Sequence, residues 1–442
     1  MKIKLILSIL LVSILKLTIG QNQDSVQLKS TEFTQAYLNK KNDIAITYFS
    51  AETIQAAHLS TALLAKIWDQ LEGQNGKYSH KDPQIMGEED GIMITKQILY
   101  FENNSLVLKL AFNGNHEIIG IRFLPNEAAQ LELFKDDKIW EEEIKVKTNK
   151  DISLRGIITY PYEDKQYPAV VLVHGSGPND MDETYGPNKL FKELAHQLAA
   201  KGVVVLRYEK RTAAYGGQPE LDIETLTLAE ETIDDALAAV DLLKKNTRVD
   251  KSKIIVLGHS LGGMSAPQIA LEGKKSVAGM IIMAGNARPL QDIVLEQYTY
   301  LSMKDGEINE EEAALIQNYE LELEALNELK VKGVTKSPLP FGLPAAYWNY
   351  LLKYNQIDIA KTIQQPILIL QGERDYQVTP KELEIWKSNL ANKTNVTYKK
   401  YVKLNHFMKE GEGKSYPSEY MKALPLPSYL VDDIVNWIKA IK

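Results

Sequence analysis

The chain has 442 residues with 44% hydrophobic and 25% charged side chains, a composition that excludes wholesale disorder, a collagen-like repeat and a multi-span membrane protein. A formal net charge of −7 argues against a broad electrostatic grip on nucleic acid or anionic lipid. The absence of cysteine removes disulfides, thiolate nucleophiles, Cys-ligated metal clusters and an acylated N-terminal Cys.

Residues 1–20 read as a secretory leader. Lys2 and Lys4 precede an apolar run over 5–15, and Thr18-Ile19-Gly20 offers small residues before a cleavage that leaves Gln21 first. Lys16 interrupts the run well short of the ~18–20 apolar residues a membrane span requires. The product is expected to be secreted or periplasmic, with no stable membrane span after leader removal and no lipobox cysteine. About 420 residues remain, enough for two domains at roughly 100–200 residues each.

The first of these, 24–135, reads as a small α+β domain. Helical periodicity over 31–38 and 51–71 is followed by a polar, Gly-containing segment over 72–90. Three alternating runs then occupy 92–101, 105–112 and 116–123, separated by Asn-Asn and Asn-Gly turn signals. From residue 140 to 442 the pattern becomes strand and helix in alternation. Short Val/Ile-rich runs at 169–173, 203–208, 254–257, 279–284 and 367–370 have the texture of strands covered on both faces. Amphipathic runs over 191–200 and 226–245 lie between them, which predicts a mostly parallel sheet with crossover helices. One interval, about 289–364, inserts a mostly helical stretch between two strands and is expected to form a cap over a pocket. Within it, 305–312 has acid and Gly spacing that does not fit a calcium loop and reads as a solvated helix start.

The sharpest motif is Gly258-His259-Ser260-Leu261-Gly262, between a strand and a helix. Gly and Ser at about 7% each give a bare Gly-x-Ser-x-Gly by chance roughly 0.1–0.2 times in a chain this long, so context decides. A nucleophile elbow turns so tightly from strand to helix that side chains two residues either side of the serine collide, hence glycine at both places. Ser260 is the candidate nucleophile.

A serine hydroxyl needs a base to take its proton, and the base needs a third group to hold its tautomer. Behind such an elbow the chain order is Ser, acid, His. Of seven histidines, His406 is the one C-terminal to Ser260, on a loop just after a strand over 396–401. The acid should follow the preceding strand, where Asp375 is favoured over its rival Glu373. Two backbone donors must hold the oxyanion. One is the amide of Leu261; the other comes from the small-residue loop His174-Gly175-Ser176-Gly177-Pro178, assigned to Ser176 with Gly175 as the alternative. His174 is expected to be a structural hydrogen bonder, and His259 to pack beside the sheet. No His-Glu-x-x-His pair is present, which disfavours a metal enzyme.

These features resemble the α/β-hydrolase superfamily over about 140–442. The stretch Val171-Leu-Val-His-Gly-Ser-Gly-Pro-Asn-Asp-Met-Asp-Glu-Thr184, with Gly186-Pro187-Asn188 and Val205-Leu-Arg-Tyr-Glu-Lys-Arg211, is similar to EstD-type bacterial carboxylesterases, relatives of dienelactone hydrolases and prolyl-oligopeptidase catalytic domains. The resemblance implies cofactor-free hydrolysis of short-chain acyl esters, small molecules, with the triad on Ser260, Asp375 and His406. Residues 25–135 are similar to a small cone-like domain that often precedes such hydrolases. Asn179, Asp180, Asp182, Arg207 and Arg211 are expected to form a salt-bridged scaffold rather than to bind substrate. Tyr347 and Trp348 are candidate linings of the acyl pocket, packing on the domain being the alternative. Two rivals stand beside the esterase: a serine peptidase of the prolyl-oligopeptidase kind, and a binding protein on an inert hydrolase core. Nothing in the sequence gives the oligomeric state.

Overall fold

The computed structural model describes residues 23–441 apart from 58, 90, 103, 127–132, 150 and 217–219; the expected leader lies outside the described residues. The chain forms two compact units. Among the described residues, one comprises 133–212 and 220–441; the other holds those before 127 and the short segment 213–216.

The N-terminal unit packs helices on an antiparallel sheet of β1 (Tyr78–Lys81), β2 (Ile85–Glu89), β3 (Ile92–Phe101), β4 (Ser105–Phe112) and β5 (Ile118–Pro125). The helix Gln23–Leu38 buries Val26, Phe33 and Tyr37 in one core with Leu99, Leu108, Leu110 and Phe112 of the sheet. The polar segment expected over 72–90 holds β1 and β2, which the sequence reading missed. Both pair with β3 at the margin of the sheet and carry no fully buried side chain, so main-chain bonds hold them without apolar alternation. The helix expected over 51–71 divides into Ala51–Ala56 and Thr61–Asn75. Ser60 starts the second, accepting the Leu63 amide at 3.1 Å, so a good N-cap outweighs continuous periodicity.

The larger unit is built on eight strands: β6 (Ile139–Lys147), β7 (Ser153–Pro161), β8 (Tyr167–Val173), β11 (Val204–Tyr208), β12 (Val249–His259), β13 (Gly279–Met283), β14 (Ile367–Gly372) and β15 (Val396–Tyr401). A separate two-stranded ribbon, β9 (Thr184–Tyr185) and β10 (Asn188–Lys189), precedes β11. The order across the large sheet is β15-β14-β13-β12-β8-β11-β7-β6. The β6–β7 and β7–β11 pairs are antiparallel and the rest parallel. Strand order reverses around β8, and in such sheets ligands bind beyond the carboxyl ends of the strands at the reversal.

Helices Leu190–Ala199 and Ser428–Ala440 cover one face, burying Phe191, Leu194, Leu430 and Ile434 with Val170, Leu172, Leu257 and Ile281. Between β13 and β14 the expected cap contains helices Leu290–Ser302, Glu310–Lys332, Ala345–Leu351 and Gln356–Thr362. Asn309 and Glu312 close a capping box at the start of the longest, so the 305–312 segment is a helix start. Among the described residues no helix is long and apolar enough to cross a membrane.

Candidate active site

β12 ends at His259, and the helix Leu261–Gly273 begins two residues later. Ser260 between them has φ 55° and ψ −117°, strained backbone for a residue with a side chain. A Cβ on Gly258 would stand 2.0 Å from the Gly262 carbonyl oxygen, and one on Gly262 would stand 2.2 Å from that of Val173. Both positions therefore exclude every side chain. The Ser260 amide donates to the Met283 carbonyl at 3.0 Å, and its carbonyl accepts from Met264 at 2.9 Å, which fixes the turn from both sides.

Asp375 and His406 meet on the loops that follow β14 and β15. His406 Nδ1 donates to Asp375 Oδ2 at 2.8 Å, with both residues buried. Asp375 Oδ1 accepts the amides of Gln377 and Val378 at 2.8 and 2.9 Å, so the carboxylate is locked in orientation. Because Nδ1 faces an acceptor it carries the hydrogen, which leaves Nε2 as the basic nitrogen. Glu373 points instead to solvent, where its Oε1 pairs with Lys400 at 3.3 Å. The histidine loop is shaped by Asn405, whose Oδ1 accepts the amides of Phe407 and Lys409, both at 3.1 Å.

The loop after β8 lies against the elbow: a Cβ on Gly175 would sit 3.2 Å from that of Ser260. The Gly175 amide donates to Glu183 Oε1 at 2.7 Å. Asn179 Nδ2 donates to the carbonyls of Gly175, Ser176 and Gly177, holding the loop in one curl. Leu261 opens its helix, where the first amides have no partner within the helix.

The family profile described as serine aminopeptidase, S33, matches residues 164–410. Esterase EstD of Thermotoga maritima is 38% identical over 391 residues, which is 86% of this chain and 88% of its own. The chain belongs to this family, the EstD-type carboxylesterases of α/β-hydrolase fold. Solved structures similar to it include Est1E from Butyrivibrio proteoclasticus, at 17% identity and TM-score 0.45 over 67% of this chain and 99% of that one. Dipeptidyl peptidase 4 of Porphyromonas gingivalis is similar at 14% identity and TM-score 0.46, over 81% of this chain and 43% of its own.

In this EstD-type hydrolase the arginines are scaffold. Arg207 is buried between Glu141 at 2.9 Å and Asp182 at 2.8 Å, and Arg211 forks onto Asp235 at 2.5 and 2.9 Å. Asp180 Oδ1 accepts the amides of Asp182 and Thr184, and the Asn179 side-chain amide donates within the loop. Tyr347 and Trp348 are both buried. The Trp348 indole donates to the Pro340 carbonyl at 3.1 Å, packing within the cap. The Tyr347 hydroxyl donates to Glu231 Oε2 at 2.6 Å; the other oxygen of Glu231 accepts from Thr212 at 2.9 Å and faces Lys210 at 3.3 Å. Lys210 in turn donates to the Gly175 carbonyl at 2.9 Å, a buried polar chain from the cap to the oxyanion loop. Glu231 lies in a π-helical turn, Ala229–Asp234, that the amphipathic pattern did not foretell.

His259 differs from its expected role. Rather than only packing beside the sheet, its ring lies 4.7 Å from that of His406 and uses both nitrogens: Nδ1 faces Glu183 Oε2 at 3.1 Å and Nε2 the His406 carbonyl at 2.9 Å. Both partners are acceptors, so both nitrogens carry hydrogen and the ring is an imidazolium. Burial pushes its pKa down, but the charge and hydrogen bond of Glu183 and the His406 carbonyl outweigh this and leave it raised. Burial pulls Glu183 up while His259 beside it pulls harder the other way, leaving the carboxyl below its ordinary value.

His174 packs between Phe191 and Tyr208, and its Nε2 makes no hydrogen bond. Burial lowers its pKa to about 4, against an opposing pull from Glu183. A histidine depressed in the folded state binds its proton first in the unfolded chain, so stability present above about pH 6.5 drains away as pH falls toward 4. Between pH 7 and 5 urea denaturation should show a loss of about 2 kcal/mol that His174→Gln removes. The His259 contribution is constant below about pH 6.5, because its folded pKa lies above the unfolded one. Identical pH dependence in the two proteins would contradict this account of His174. Among the described residues no group of three or more His, Asp or Glu is placed to hold a metal ion.

Proposed function

We propose that this hydrolase cleaves short-chain acyl esters through an acyl-enzyme on Ser260, with His406 as general base and acid, Asp375 orienting it, and the amides of Leu261 and Ser176 holding the oxyanion. The observation that carries the reading is the buried 2.8 Å hydrogen bond from His406 to Asp375, on loops beside an elbow whose His259 touches His406. Ser260 Oγ attacks the ester carbonyl while His406 Nε2 takes its proton; the tetrahedral oxygen falls to the two amides; the proton passes to the departing alcohol. Water then repeats the sequence on the acyl-enzyme. The short-acyl preference follows from the EstD resemblance, and the fused loop of small residues, Gly175 to Gly177, lets the backbone approach a small carbonyl closely.

A panel of 4-nitrophenyl acetate, butyrate and laurate, run beside aminoacyl and prolyl 4-nitroanilides, tests it. The expected result is highest kcat/KM on acetate or butyrate and anilide cleavage at least a hundredfold slower. Anilides cleaved as fast as esters would favour the peptidase reading, which the name of the matching family profile keeps in the comparison.

A further inference from the structure

The catalytic histidine comes from a distant part of the sheet. His406 follows β15 at one edge, and β14 and β13 separate that strand from β12, which carries the elbow. The oxyanion loop follows β8, on the far side of β12. Three loops from three strands must therefore keep sub-ångström register, and a loop reaching across two strands has ample freedom to lose it.

One buried pair touches all three. Glu183 Oε1 takes the Gly175 amide at 2.7 Å, and its Oε2 meets His259 Nδ1 at 3.1 Å. His259, the residue before the nucleophile, donates from Nε2 to the main-chain carbonyl of His406 at 2.9 Å. Glu183 holds left-handed backbone, φ 49°, a strain that the fold sustains while aiming its side chain into this position. Asp375 meets the imidazole of His406, whereas His259 is bonded to that residue's main chain across the sheet. The pair is also fully spent: each carboxylate oxygen and each ring nitrogen has one partner, so neither residue is a second base.

We propose that Glu183 and His259 are positioning residues that set the Ser176 amide and the His406 imidazole in register with Ser260. The proposal rests on the triad reading above. It makes the carboxylate at 183 act on both halves of the reaction, through the oxyanion loop on one side and the base on the other. Ground-state substrate binding does not pass through either contact, so the loss falls on turnover.

The test uses steady-state kinetics on 4-nitrophenyl butyrate well below the melting temperature of each variant. Glu183→Ala is expected to lower kcat by roughly 10²–10³, the scale of one lost oxyanion donor, with KM within threefold of the parent. Glu183→Gln should recover to within roughly tenfold of the parent, because its carbonyl still accepts from Gly175 and its amide donates to a neutral His259 that keeps its Nε2–H. His259→Ala should lose kcat by roughly 10–10² and stands in if Glu183→Ala does not fold. A kcat within threefold of the parent in the alanine variants, a loss carried by KM, or Glu183→Gln as impaired as Glu183→Ala would overturn the proposal. Ser260→Ala run alongside separates the two claims: if it is inactive while Glu183→Ala is unimpaired, the positioning role fails and the triad stands; if it is fully active, the triad itself fails.

Discussion

Ser260→Ala and His406→Ala should each lower kcat for a short-chain ester by roughly 10⁴–10⁶, and the double variant should be no slower than either single one. In the proposed mechanism the two side chains perform one event, transfer of a proton as a bond forms, so removing the second member after the first takes nothing further away. Asp375→Asn should cost somewhat less, roughly 10³–10⁴, because an amide at that position presents a donor to Nδ1 and favours the wrong tautomer. The substitution leaves the amides of Gln377 and Val378 an oxygen to bond, so folding should be little affected. Glu373→Gln is the control: its carboxylate lies in solvent beside Lys400, and activity should stay within about twofold. Steady-state rates on 4-nitrophenyl butyrate measure all five proteins. Equal loss at 373 and 375 would reassign the acid.

The second large effect concerns backbone rather than chemistry. Gly258→Ala places a methyl 2.0 Å from the carbonyl oxygen of Gly262, and both atoms belong to an elbow pinned by hydrogen bonds to β13 and to the first turn of the following helix. A main-chain carbonyl cannot rotate aside as a side chain does. The variant should lose at least about 3 kcal/mol of stability and essentially all activity. Gly262→Ala should behave alike, since its methyl would meet the Val173 carbonyl at 2.2 Å. Gly73, in the helix Thr61–Asn75, has nothing within 4 Å of its added Cβ, and Gly73→Ala should raise stability by up to about 1 kcal/mol. Thermal unfolding of the three variants reads the contrast directly. An elbow variant as stable as the parent would mean that the turn is built differently.

These two expectations draw on what was most readable in the linear chain. The elbow is legible because its geometry forbids side chains at two fixed spacings around Ser260, and the parallel strands are legible because burial on both faces forces unbroken Val and Ile. The contact of Asp375 with His406 was reachable because Asp375 lies on the loop after the strand that precedes the histidine's own. The hidden parts share a physical cause: they depend on partners far apart in the chain. Glu183 meets His259 across 76 residues and Tyr347 meets Glu231 across 116, and no local pattern marks a carboxylate for burial beside a particular distant group. Strands β1 and β2 escaped notice because marginal strands are held by main-chain bonds, which any residue can make. The division of the 51–71 run at Ser60 shows a single capping side chain overruling periodicity.

The proposed mechanism requires a covalent bond to one oxygen, Ser260 Oγ. Mixing the protein with excess 4-nitrophenyl butyrate, quenching in acid within the first turnovers and mapping peptides by mass should find a butyryl group on Ser260, released with one early equivalent of 4-nitrophenol. His406→Ala should form it far more slowly, and Ser260→Ala not at all. Sustained turnover with no acyl group on Ser260, or an undiminished rate in Ser260→Ala, would contradict the mechanism.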